Sequence, residues 1–183
     1  LVLSLPGLGT TPPLDRDEPR FMQASKQMLE TGDYIDIRFQ EEPRYKKPAL
    51  IYWMQSASVT LFAGGDKTAV WAYRLPSVLG AMLAVIFTYL TAVILTSRPV
   101  AIVAAGILAS SILLVAEAHI AKTDAMLLAA ITAGQYVLAA LYRGEHRRHL
   151  FPLFWIALGA GVMLKGPVAL APAIATIAGL RLW

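Results

Sequence analysis

From residue 75 onward the sequence is a succession of apolar runs, at 75–96, 99–116, 125–142, 150–164 and 167–182, with a charged residue rarely interrupting them. The first run has 22 residues. At about 1.5 Å per helical residue that length spans a hydrocarbon core of about 30 Å. The next two are shorter but adequate. The last two are short and are separated only by Lys165 and Gly166, so they read either as two spans joined by a tight corner or as one broken helix. A mean hydropathy of +0.57 agrees with a membrane protein. The expected fold is all-α: a polytopic transmembrane helix bundle of about four to five helices over 75–183.

Residues 14–74 differ sharply from this. They are polar and dense in charge, and residues 1–74 hold nine Lys or Arg and nine Asp or Glu. The whole formal excess of +4 therefore lies in the apolar part. Basic residues scattered between apolar runs form no stripe for a nucleic acid, which excludes that class of partner. Without cysteine there is no disulfide framework and no thiolate metal site, while the redox compartment stays open. The chain begins at Leu1 with a short apolar run and stops at Trp183 after another. Both ends read as cut, with 1–13 as the end of a truncated first transmembrane helix and the rest of the protein missing.

Short loops rich in Lys and Arg stay in the cytoplasm. The loop Arg143-Gly144-Glu145-His146-Arg147-Arg148-His149 is the strongest of these. With it inside, the alternation of spans puts 14–74, 117–124 and Lys165 outside, so that Asp17, Lys46, Lys47, Asp124 and Lys165 share one face of the membrane. Within the outer stretch, 19–31 has the pattern of an amphipathic helix stopped by Gly32, and 48–63 that of a more apolar helix closed by Gly64-Gly65. Both are expected to lie along the membrane surface, with Tyr52 and Trp53 at headgroup level.

Four places carry candidate chemistry. Asp15-Arg16-Asp17-Glu18-Pro19-Arg20 crowds three carboxylates and two guanidiniums into six residues. It suits a polar substrate, or it caps a helix at its positive end. Arg44-Tyr45-Lys46-Lys47-Pro48 puts cations at headgroup height, where they bind a lipid phosphate or merely snorkel. Asp124 opens an apolar span, either as a cap or facing an aqueous pocket. Glu117 and His119 near it have no recognised ligand spacing, so no metal site is assigned and metal dependence stays open. Lys165-Gly166-Pro167 is a corner or an anion contact. Neither a Gly-rich phosphate loop nor a nucleotide fingerprint is present. A transferase of this design has to take its donor from the membrane.

Taken in order, DEPRF (17–21), MLETGDYI (28–35), RYKKPALIYW (44–53), LFAGGD (61–66), YRLPSVLGAML (73–83), Lys122-Thr123-Asp124 and LKGPVAL (164–170) resemble the bacterial membrane glycosyltransferases of the protein mannosyltransferase and lipid A aminoarabinose transferase type, whose fold is termed GT-C. The resemblance covers nearly the whole chain, which matches the N-terminal catalytic part. It implies an inner-membrane enzyme with a periplasmic active site, inverting a sugar as it moves from a polyprenyl-phosphate donor to lipid A, a glycan or a protein. Asp17 matches the general base with Glu18 beside it, and Asp124 a second acid facing the same cavity. Lys47 matches the lysine near the donor phosphate, and Lys165 that of the K-G-P corner; Arg20, Arg44 and Lys46 complete the expected substrate-binding set. The sequence departs from the family at Lys46, where Glu is frequent, at Ala49 in place of a second proline, and at Phe21 in place of Tyr. The first departure reverses a charge beside the phosphate lysine and bears on donor or acceptor preference. Two other readings stay open: a transporter or flippase of a polyprenyl-linked sugar, and a piece that is inactive by itself.

Overall fold

The computed structural model describes residues 7–13 and 17–182; the proposed end of a first span falls partly on residues 1–6, and Asp15 and Arg16 also lie outside the described residues. Two helices come first, α1 (Glu18–Thr31) and α2 (Leu50–Phe62), with a small antiparallel hairpin between them, β1 (Arg38–Phe39) and β2 (Glu42–Pro43). Then follow α3 (Val70–Leu95), α4 (Arg98–Ala109), α5 (Ile112–Ala118), α6 (Asp124–Tyr142), α7 (Leu150–Lys165), a 3-10 turn (Gly166–Leu170) and α8 (Ala171–Leu182). The described residues are thus all-α apart from the hairpin.

α1 and α2 form where the amphipathic pattern placed them. Phe21, Ala24 and Met28 of α1 pack on Ile51 and Tyr52 of α2. Tyr52 is wholly buried within the protein, its ring 5.5 Å from that of Phe21. Trp53 is the outward residue, its indole N–H donating to the Tyr34 carbonyl at 2.7 Å. Adjacent helical residues point about 100° apart, so two neighbouring aromatics could not share one environment.

Among the described residues, three helical runs are long and apolar enough to cross a membrane: α3, α6 and 150–182. α4 and α5, bent by 59° across their break, would together make a fourth. α3 and α6 run in the same direction, since Gly80 lies against Ala125 and Met126, Phe87 lies 5.9 Å from Tyr136, and Ile94 packs with Val137 and Ala140. α4 and α5 are the return path between them.

The run 150–182 is not one straight span. A Cβ added at Gly161 would lie 2.9 Å from the Ala169 Cβ. Eight residues apart on a straight helix are about 12 Å apart. The chain therefore doubles back at Gly166, whose φ of 75° and ψ of −161° belong to a region open only to glycine. Of the two readings of these runs, the tight corner is the one that forms. The returning α8 meets α6, where Thr176 Oγ1 donates to Gln135 Oε1 at 2.9 Å.

Side-chain size is sorted in these spans. Ala81, Ala84, Ala125, Ala129, Ala133, Ala140 and Ala157 face inward, whereas Ile86, Val103, Ile107, Phe151 and Ile156 face outward. Small residues let backbones approach closely, which is how helices pack in lipid, where apolar burial itself drives little. Pro76 interrupts α3 without breaking it. Its missing N–H would leave the Ala72 carbonyl without a donor, and the Ser58 hydroxyl of α2 supplies one at 2.7 Å.

The close approach of α3 to α6 at Gly80 gives a prediction. A Cβ on Gly80 would lie 2.5 Å from the Met126 backbone nitrogen. Gly80→Ala should push α3 and α6 apart and destabilise the protein by about 1–3 kcal/mol or more, read as a lower thermal midpoint in detergent. An unchanged midpoint would contradict the close approach.

Candidate active site

One apolar cluster locates the site. It is built from Phe21, Ala24, Met28, Ile37, Ile51, Tyr52 and Leu164, with Ala49, Leu50 and Met126 at its edge. Asp17 lies one turn before Phe21, Lys47 two residues before Ala49, Asp124 two before Met126, and Lys165 directly after Leu164. Four distant parts of the sequence thus bring their candidate residues to one end of the bundle.

The residue beside Asp17 has a different task. Glu18 is 1% exposed, and both of its oxygens are engaged by Arg74, equally buried, at 2.7 Å from Nε and 3.1 Å from Nη2. Arg74 also donates from Nη1 to the carbonyls of Leu8 at 2.7 Å and Thr11 at 2.9 Å. The expected catalytic role for Glu18 is therefore corrected: a carboxylate closed off from solvent and already ion-paired cannot meet an acceptor. Instead Glu18 Oε1 accepts from the backbone N–H of Ala121 at 2.9 Å.

That bond belongs to a set. The Ala121 carbonyl accepts from Gln55 Nε2 at 3.2 Å, and Gln55 Oε1 accepts from the Ser25 hydroxyl at 2.6 Å. Ser77 Oγ donates to the Ile120 carbonyl at 2.6 Å. α1, α2 and α3 each send one buried polar side chain to the segment that leads into α6. Asp124, the first residue of α6, is fixed in this way relative to the start of α1. Thr123 occupies the N-cap, but no side chain makes a capping bond there.

Asp124 forms an ion pair with Lys165 across the corner at Gly166, with both side chains about one-third exposed. Asp124 also lines a cavity of about 180 Å³ between α4, α5 and α6, with Ser111, Glu117 and several leucines. Asp17 is more open, at 56% side-chain exposure, with Arg20 Nη1 3.5 Å away. It stands at the N-cap of α1 without a side-chain capping bond.

Arg44 donates from Nε to the Tyr52 hydroxyl at 3.1 Å, and its guanidinium lies 5.4 Å from the Phe21 ring and 5.8 Å from the Phe39 ring. Phe21 thus serves as a face for a cation. Burial raises the Tyr52 phenol above its ordinary 10, opposed by Arg44 and reinforced by the charge of Asp17. Tyr52 consequently stays protonated between Asp17 and Arg44. Lys47 is half-buried and Lys46 exposed, and neither has an ion-pair partner among the described residues. Among the described residues no group of three His, Asp or Glu is gathered to hold a metal ion.

Comparison with known proteins decides the family. The sequence profile of the dolichyl-phosphate-mannose-protein mannosyltransferases matches residues 14–183. The chain belongs to this family. A Yersinia pestis protein named undecaprenyl phosphate-alpha-4-amino-4-deoxy-L-arabinose arabinosyl transferase is 29% identical over 166 residues, covering 88% of this chain and 29% of that protein. Its counterpart from Yersinia enterocolitica is 28% identical over 165 residues, with the same coverage. The chain thus spans less than a third of the length of these relatives. The crystal structure of ArnT from Cupriavidus metallidurans in the apo state superposes with a TM-score of 0.85 at 23% identity, over 99% of this chain and 34% of that one. ArnT bound to undecaprenyl phosphate matches equally well, at 22% identity. The fold is therefore that of these GT-C membrane proteins, and the chain is a multi-pass membrane segment.

Arg74, Gln55, Ser25 and Ser77 were not among the candidate residues. Arg74 had a readable signal, because an arginine at the head of an apolar span has to find a counter-charge. The serines and Gln55 had none. Gln55→Ala removes the donor of the Ala121 carbonyl and the acceptor of Ser25. It should cost about 1–3 kcal/mol per group left unpaired. Thermal unfolding with Gln55→Glu as a control checks this, and a Gln55→Ala midpoint equal to wild type would contradict the network.

Proposed function

We propose that the full-length protein transfers a sugar from a polyprenyl-phosphate donor to an acceptor at the periplasmic face of a bacterial inner membrane. The observation that supports this best is the gathering of Asp17, Lys47, Asp124 and Lys165 around one cluster at one end of an apolar bundle in a chain of this family. The relatives are named for an undecaprenyl-phosphate sugar, and a structural neighbour binds undecaprenyl phosphate, so the donor proposed here is of that class. Lipid A, a glycan or a protein is the acceptor class, and no nucleotide or nucleic acid takes part.

In the proposed step the acceptor oxygen attacks the anomeric carbon from the face opposite the phosphate. Its proton passes to the Asp17 carboxylate as the new C–O bond forms. The bond from the anomeric carbon to the phosphate oxygen breaks, and the polyprenyl phosphate leaves with the electron pair. Inversion follows from a single displacement. Lys47, which has no carboxylate partner among the described residues, offers its ammonium to the departing phosphate. Arg20 lies 3.5 Å from Asp17, and Lys46 adds a second positive charge next to Lys47 in the chain. Arg44 acts through Tyr52, its guanidinium already held by two aromatic faces. Lys165 enters the site already paired with Asp124, so the second acid is offset until something competes for the lysine.

Transfer from a labelled polyprenyl-phosphate sugar by the full-length protein tests this. Asp17→Asn should lower the rate by about 10²–10⁴ while leaving donor binding in place. Lys47→Met should lower it by about 10²–10³. Wild-type transfer in Asp17→Asn overturns the base assignment. Movement of the intact donor across vesicles with its sugar–phosphate bond unbroken would instead identify a flippase.

A further inference from the structure

The end of the bundle opposite the site carries its own chemistry. Arg98 opens α4, Arg143 follows α6, Arg147 and Arg148 precede α7, and Arg181 lies in the last turn of α8. The fold gathers them. Ile94, Tyr136, Val137, Ala140 and Leu150 form one cluster, and Leu95, Tyr142 and Leu180 line a common groove. Each arginine lies within a few residues of these positions. All five are exposed, and His146 and His149 are exposed among them.

The charge balance concentrates there. Residues 1–74 are neutral, and Lys122 and Lys165 are offset by Glu117 and Asp124. The entire formal charge of +4 is therefore the five arginines less Glu145. Glu145 pairs with Arg147 at 3.1 Å, and the other four have no carboxylate partner among the described residues. Apolar and aromatic side chains lie close in sequence: Tyr142, Phe151 and Trp155 are exposed at 60%, 72% and 55%. Fixing the orientation of spans needs only the count of basic residues in a loop. It does not require arginines from three separate parts of the chain to meet around one helical end.

We propose that this surface binds the phosphate headgroups of anionic phospholipids in the leaflet opposite the candidate active site. The guanidinium fork matches a phosphate in two-point geometry, and exposed Tyr and Trp are side-chain types that favour the membrane–water interface. Each arginine near a lipid surface strengthens such binding about fivefold. The inference does not depend on the proposed transfer reaction.

The test uses the full-length protein in detergent, titrated with short-chain phosphatidylglycerol and, separately, phosphatidylcholine, with bound lipid counted by native mass spectrometry. Phosphatidylglycerol should bind at least about tenfold more tightly, with the preference shrinking as salt is raised. In Arg143→Gln/Arg147→Gln/Arg148→Gln the preference should fall by an order of magnitude or more. Equal binding of the two lipids by the wild-type protein overturns the proposal, and so does an unchanged preference in a folded triple variant. If that variant fails to fold, the salt dependence of the wild-type preference decides, and a salt-independent preference counts against it.

Discussion

The buried ion pair between Glu18 and Arg74 is the interaction on which the candidate site depends. It joins the first turn of α1 to the head of the first described span, and through the Ala121 amide it reaches the segment that starts α6. Burying two charges is expensive, and a buried pair is frequently no more stabilising than well-packed apolar residues would be. Its value here is positional. Asp17 directly precedes Glu18, and Asp124 comes three residues after Ala121, so one carboxylate sets the backbones that carry two others. Asp17 and Asp124 stay partly or largely open to solvent, and the carboxylate that sets their backbones is closed off.

The same division runs through the whole chain. At the site end, helices meet through buried polar groups whose donors and acceptors are matched: Ser25 to Gln55, Gln55 to Ala121, Ser77 to Ile120, Ser58 to the carbonyl freed by Pro76. Further along the spans, contact is made mainly by apolar residues, many of them alanine, with the Thr176–Gln135 bond as a polar exception. Polar networks in a low-dielectric setting specify one arrangement, because any displacement leaves a group unpaired. Small-residue packing brings helices close without adding paired polar groups. Geometry is therefore held most firmly where Asp17, Lys47, Asp124 and Lys165 assemble.

Much of this was legible in the residues. Hydropathy placed the spans, Gly32 and the amphipathic spacing placed α1, and loop charge put the candidate residues on one face. Lys165-Gly166-Pro167 was readable as a corner, although only the contact between Gly161 and Ala169 shows that the chain reverses there. Less visible was the difference between Asp17 and Glu18. Neighbouring acids look alike in a sequence, and which one is buried depends on Arg74, 56 residues further on. Tyr52 and Trp53 posed the same problem, since composition assigns both to an interface and only helix rotation separates them. Pairings such as Gln55 with Ala121 leave no local trace, because a glutamine in an apolar helix reads the same whether it faces a partner or water.

The most direct measurement is a double-mutant cycle on thermal unfolding of the full-length protein, using Glu18→Gln, Arg74→Met and the two together. Removing one partner strands a buried charge, so each single change should cost about 3–5 kcal/mol. The double variant should cost markedly less than the two losses added, giving a coupling of about 2 kcal/mol or more. Losses that simply add would contradict the pair as the constraint that holds Asp17 and Asp124 in place.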